Sequence, residues 1–234
     1  MSPPLDALLD DIAAANRILA RHGVLDGFGH VSARHPEHPD RFLLSRSLAP
    51  ALVTPADVMT FDLDANALGG DARRPYLERF IHGAIYRQRP DVRAVVHSHS
   101  PSVIPFSASS VRLQPIYHMA SFIGRGAPVF EIRERFGTTD MLVRNVEQGA
   151  ALAERLSGDA LVLMRGHGFC TVGESVAEAV YRAIYTESNA ALQQAAIALG
   201  GTVTYLDADE ARRYDETSRA VLDRPWQLWK AEVA

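Results

Sequence analysis

Apolar positions in the first twenty-odd residues recur at helical spacing. Leu5, Leu8, Leu9, Ile12, Ala13, Ile18 and Leu19 fall near one face of residues 4–22, and Gly23 closes the run. The period then shortens. HVSAR (30–34), RFLLS (41–45) and VMTFDLD (58–64), separated by Pro, Asp and Gly, predict a meander of antiparallel strands. Pro75 is placed to occupy the first turn of a helix reaching Gln88, which Arg89-Pro90-Asp91 ends before the strand VRAVVHSH (92–99). Residues 101–128 are mixed, with short helical turns around 117–122, and APVFEI (127–132) reads as a further strand. A helical pattern covers Asn145 to Leu156, ALVLM (160–164) and GFCTVG (168–173) are strands, and Ser175 with Glu178 forms a capping box opening a helix that stops at Gly200-Gly201. No repeat or linker interrupts this order. It predicts an α/β fold, a three-layer α/β/α single domain over residues 1–234 with a central mostly antiparallel sheet and a tail from about residue 206.

Composition narrows the function. The chain has 234 residues and 47% hydrophobic content, enough to bury one large core. A net charge of -4 offers no basic footprint, so nucleic acid is not an expected partner. No apolar run has the length of a membrane span and the amino terminus is acidic, which makes cytoplasm the expected compartment, without a membrane partner. A lone cysteine, Cys170, forms no internal disulfide; near His167 it reads as a soft metal ligand or, in preference, a small strand residue. Lysine occurs only at Lys230, near the carboxyl terminus, a poor position for a Schiff-base amine. An electron sink, if the chain needs one, falls to a metal.

His97 and His99 stand at i and i+2 in a predicted strand, and alternate residues of a strand share a face. His167 sits in the turn-like run MRGHGF. Three neutral imidazoles from two elements suit a catalytic divalent ion with open positions, whereas the bland alternative is a set of hydrogen-bonded core histidines. His30, His82 and His118 are further candidates, each individually readable as structural or surface residues, with His30 and His118 retained for a substrate pocket. Glu78 reads either as an exposed helix glutamate beside Arg79 or His82, which composition alone favours, or as a carboxylate that moves a proton beside a metal.

GHVSAR after an opening helix, Glu78-Arg79-Phe80, AVVHSH, and RGHG before a long helix together resemble the class II aldolase and adducin family over roughly residues 5–205. By that resemblance, His97, His99 and His167 are the metal ligands and Glu78 is the acid/base residue and optional fourth ligand. It also implies a homo-oligomer, a tetramer with sites at subunit interfaces. Tyr117, or a tail carrying Trp226 and Trp229, then reaches a neighbour's site.

The departures from that family point to the substrate. Sugar-phosphate members share a GNxS turn, a Thr-Gly pair in the next loop and two serines before the glutamate. Here His30 replaces the asparagine, the loop SRSLAPALV (45–53) lacks Thr-Gly, and Tyr76 and Leu77 replace the serines. A phosphate cradle has become larger and more aromatic. Arg46 or Arg74 offers a fork for a carboxylate, with Ser47, Tyr117 and His118 as further substrate-binding candidates. The pattern is similar to the metal-dependent decarboxylases of ortho-hydroxy aromatic or pyridine dicarboxylates. The expectation is therefore a carbon-carbon lyase that decarboxylates such a ring, using a divalent ion (Mn, Zn, Co or Fe), with Glu78, His30 or a metal-bound water delivering the proton. Retro-aldol cleavage of a non-phosphorylated hydroxy-oxo acid is the alternative, followed by an iron oxygenase and an adducin-like binding module.

Overall fold

The structure is a computed structural model that describes residues 4–234. Its first helix, α1 (Leu5–Arg21), buries Leu8, Ile12, Ile18 and Leu19 and ends where the chain turns through His22 and Gly23. Strands β1 (His30–Arg34), β2 (Arg41–Ser45) and β3 (Val58–Asp62) form the expected meander. The third strand stops two residues short of the predicted end. Asp62 turns the chain by accepting from the amides of Asp64 and Asn66, both at 2.9 Å.

Helix α2 runs from Arg79 to Gln88, with Glu78 at its N-cap position. The predicted start at Pro75 is thus four residues early. The Tyr76 carbonyl, which a longer helix would use, accepts instead from the Arg79 guanidinium at 3.0 Å. Strand β4 (Ala94–Ser98) ends before His99, because the Ser98 hydroxyl accepts from the Ser100 amide at 3.1 Å and turns the chain out of the sheet. Short helices α3 (Ile104–Ser107) and α4 (Arg133–Phe136) were not legible, and a 3-10 segment covers His118–Ile123. Between them β5 is only Val129–Phe130, since Pro128 contributes a carbonyl but no amide.

Helix α5 (Val146–Leu156) begins at Asn145, whose side chain accepts from the Gln148 amide. Strands β6 (Leu161–Met164) and β7 (Gly168–Gly173) follow, then α6 (Val176–Ala198), capped by Ser175 accepting from the Glu178 amide. The tail folds into α7 (Ala208–Arg219) and α8 (Asp223–Glu232).

The seven strands lie in the order β3-β2-β1-β4-β7-β6-β5, every neighbouring pair antiparallel except β5 with β6. Alternation divides the strand side chains between two cores. Val31, Ala33, Leu43, Val96, Leu163 and Phe169 meet α1 and α6, while Phe42, Leu44, Val95, Val162 and Val172 meet α2 and α5. This is the three-layer α/β/α arrangement. In the tail, Trp226 and Trp229 are both buried in the α1/α6 core of their own chain, where an indole removes more apolar surface from water than any other residue α8 offers. Lys230 pairs with Asp11 at 2.7 Å, joining α8 to α1.

Candidate active site

Strand β4 sits at the middle of the sheet, so His97 is wholly buried on the α2 face, beside Val95 of the same face. Its Nδ1 donates to the Phe169 carbonyl at 3.1 Å. A carbonyl only accepts, so the proton is on Nδ1 and the Nε2 lone pair is free. His167, in the β6–β7 turn, is fixed the same way: its Nδ1 donates to the Met141 carbonyl at 2.9 Å. Met141 holds a positive φ of 70°, an uncommon conformation for a side-chain-bearing residue, and it aims that carbonyl at the ring. His99, just past β4, places its Nε2 3.1 Å from that of His97 and 3.0 Å from that of His167.

Glu78 completes the group. Its Oε1 accepts from the Val143 amide at 3.0 Å, and its Oε2 lies 3.4 Å from the Nε2 of both His97 and His167. The glutamate is 7% exposed, which overturns the exposed-helix alternative. All four ligand atoms lie within 4.8 Å of one another. Bonds of about 2.0–2.1 Å to a first-row ion would separate neighbouring ligands by about 3.0–3.4 Å, so the donor set fits a divalent metal in spacing and chemistry. Cys170 is outside it. Its buried thiol sits behind His97, 3.5 Å from Nδ1, as a small strand residue.

The electrostatics favour a neutral imidazole at His99 beside an ionised carboxylate at Glu78. Burial opposes ionisation of Glu78, but hydrogen bonds and charge from His167 and His97 outweigh it and hold the carboxyl well below the usual carboxylate range. Burial, followed by the neighbouring His97 and His167, lowers His99 to about 4. His167 moves the other way, because Glu78 overcomes the effect of burial.

Two glycines make the approach of these elements possible. A Cβ at Gly29, where φ is +86°, would fall 2.8 Å from the His97 carbonyl oxygen. One at Gly168 would overlap the Ser98 carbonyl, so only glycine lets β7 pass so close beside β4 just after His167.

A cavity of about 390 Å³ opens over the cluster, within the roughly 300–1,000 Å³ of small-molecule sites. Glu78 and His99 form part of its wall with His30, Tyr76, Leu77, Phe28, Ser47 and Arg74. The ring of His30 stacks at a tilt on Tyr76, 4.6 Å between centroids, and Tyr76 donates its hydroxyl to the Leu48 carbonyl. Of the two candidate arginines, Arg74 lines the cavity. Arg46 does not: its Nε donates to Asp57 at 2.7 Å, which draws that edge of the guanidinium to a carboxylate outside the cavity. Tyr117 and His118 are also elsewhere, among Tyr185 and Tyr214, because the 3-10 segment packs on α6 and α7.

Residues 10–194 match the class II aldolase and adducin N-terminal domain. The chain belongs to the class II aldolase and adducin family. Among relatives, it is 39% identical to the decarboxylase tropJ of Talaromyces stipitatus over 92% of this chain and 90% of that protein. It is 33% identical to the 3,4-dihydroxyphthalate decarboxylase of Arthrobacter keyseri, covering 87% and 85% of the two chains. The crystal structure of an aldolase II superfamily protein from Pseudomonas syringae superposes with a TM-score of 0.79 at 22% identity, covering 100% of this chain and 94% of the other. In this family setting, the chain is a lyase with a His/Glu group suited to a divalent ion. No described helix is long and apolar enough to cross a membrane.

Several participants escaped the sequence reading: the Val143 amide, the Met141 carbonyl and Phe28. The backbone pair carries no side-chain signal. Phe28 lies in the glycine-flanked GFGH run, where an exposed aromatic was a usable clue.

Proposed function

We propose that this enzyme decarboxylates an ortho-hydroxy aromatic or pyridine dicarboxylate in the cavity above Glu78, His97, His99 and His167. The observation that carries this reading is the pairing of that open His/Glu cluster with a cavity whose wall is Tyr76, Leu77 and Phe28, with Arg74 as its cation. Flat apolar walls suit a ring, and a guanidinium suits the carboxylate that is retained.

A divalent ion (Mn, Zn, Co or Fe), when bound by His97, His99 and His167 with Glu78, supplies Lewis acidity for the negative charge that develops on the substrate oxygen. Glu78, held as a carboxylate, takes the proton of the ring hydroxyl and returns it to the ring carbon that bears the departing group. The carbon-carbon bond then breaks, carbon dioxide leaves with its carbon fully oxidised, and the bonding pair restores the aromatic ring. One solvent proton finally neutralises the product oxygen. His30 and Ser47 hold the substrate from the wall. Arg46 falls out of the substrate-binding set.

The enzyme works as a homo-oligomer, a tetramer, in which Tyr117 and His118 serve a neighbouring protomer's cavity, since they lie outside their own. Stripping and restoring the metal, then measuring carbon dioxide from a panel of ortho-hydroxy aromatic dicarboxylates, tests the reaction. Metal-dependent release supports it. No release from any ring, alongside aldehyde or pyruvate from hydroxy-oxo acids, overturns it in favour of aldol cleavage.

A further inference from the structure

Behind the cavity, β1 and α2 bring four polar side chains into one buried row. Alternation along β1 sends Val31 and Ala33 to the α1 side, and therefore His30 and Ser32 to the α2 side. On α2, His82 and Tyr86 stand one turn apart on the face that meets them. His30 Nδ1 lies 2.6 Å from His82 Nε2, His82 Nδ1 lies 2.6 Å from Ser32 Oγ, and Ser32 Oγ lies 2.8 Å from the Tyr86 hydroxyl. None of the four is more than 3% exposed.

Counting hydrogens fixes the direction of the row. Both imidazoles are buried and neither is hydrogen-bonded to a carboxylate, so each is neutral and carries one N–H. With two hydroxyls, four hydrogens serve three contacts, and one is left over. If His30 donated inward, the spare hydrogen would be the Tyr86 O–H or, with Ser32 accepting from both neighbours, the Ser32 O–H. Neither has an acceptor: Ser32 meets no further described partner, and the Tyr86 hydroxyl belongs to the α2/α5 core, where the Arg34 guanidinium 4.9 Å from its ring offers donors only. A buried donor without an acceptor is the costly outcome. Running outward, Tyr86 donates to Ser32, Ser32 to His82 Nδ1, and His82 Nε2–H to His30 Nδ1. The spare hydrogen then sits on His30 Nε2, at the cavity wall, where no described residue pairs with it.

We infer that the row Tyr86–Ser32–His82 locks His30 as its Nε2–H tautomer and aims a fixed donor into the cavity, with His82 as the positioning residue. Only the donor's target, a carboxylate oxygen of the substrate, rests on the decarboxylase reading. A bare Nε2 lone pair in that place would repel a carboxylate. The row orients and does not shuttle protons, because burial raises the Tyr86 phenol and makes it a poor proton source.

Nitrogen-15 spectra of histidine-labelled, zinc-loaded protein read the tautomer directly, with His30 assigned by its loss in His30→Gln. The expected result is an Nε2–H His30 in the wild type. His82→Gln, whose amide restores a donor near the Nε2 position, keeps that tautomer. His82→Leu loses it and lowers kcat/KM about tenfold, the usual scale for one positioned hydrogen bond. His82→Phe keeps an aromatic ring in the row but offers His30 no donor, and it loses the tautomer even if His82→Leu fails to fold. An Nδ1–H His30 in the wild type overturns the inference, as does a His82→Phe spectrum unchanged at His30. Because the spectra need no substrate, they stand whether or not any ring releases carbon dioxide.

Discussion

His99 has left β4, yet its Nε2 lies 3.1 Å from that of His97 inside the strand. One imidazole is clamped by the sheet, while the other depends on the turn at Ser98 and Ser100. Of the three clustered imidazoles, His99 is also the one on the cavity wall. Removing it by His99→Ala lowers metal affinity at least tenfold, by the usual effect of losing a ligand or its support. Metal content after dialysis against a weak chelator checks this.

Glu78→Gln separates holding the ion from moving the proton. The amide retains an oxygen to accept from the Val143 amide, and the three imidazoles stay in place. Metal content therefore remains near that of the wild type, while kcat falls about 10²- to 10⁴-fold, the range for a lost acid/base group. Wild-type turnover in this variant would remove Glu78 from the proton's path.

The two arginines separate by what they already touch. Arg74→Ala raises KM about tenfold or more, as expected when a charged hydrogen-bond donor to a carboxylate is lost, and leaves kcat closer to wild type. Arg46→Ala breaks its pair with Asp57 and leaves KM unchanged. Steady-state kinetics on the two variants, with any ring that turns over, distinguishes them.

Acid destabilises the metal-free protein through His82, whose folded pKa is driven down to about 3, chiefly by burial and then by His97. Between that value and the ordinary unfolded value of about 6.5, the unfolded chain binds a proton that the folded chain refuses. Stability therefore falls as pH drops through this window and is fully kept above it. Glu78 acts in the same direction, since its depressed pKa contributes stability that is lost on protonation. Thermal unfolding midpoints recorded from pH 7 to pH 4 should decline, and His82→Leu should flatten the slope.

Much of the fold was legible because local pattern and tertiary demand agree. Strands β1, β2 and β7 and helices α1 and α6 end close to where their turn and capping residues put them. The failures have local causes. At residues 75–78 side chains take over the backbone's hydrogen bonds, and α2 begins late. The tail helices went unread although Asp207 and Glu210 form a full capping box, because α7 is mostly polar and shows little apolar stripe. At the site, His97, His99 and His167 were legible from type and spacing, although His99 arrives by a turn rather than by strand alternation. The partners of His30 were not. Ser32 at i+2 on the strand and His82 and Tyr86 at i and i+4 on the helix look ordinary until strand and helix are set face to face.

One loop holds two members of the cluster at once: Met141 gives its carbonyl to His167, and two residues later Val143 gives its amide to Glu78. That loop is itself tied down by small local bonds, Thr139 Oγ1 accepting from the Met141 amide and Asp140 from the Leu142 amide. In the proposed metal centre, retention of the ion would thus answer to residues that never touch it and that read as plain surface. A change at Thr139 or Asp140 would then alter how firmly His167 and Glu78 are held without altering the donor set itself.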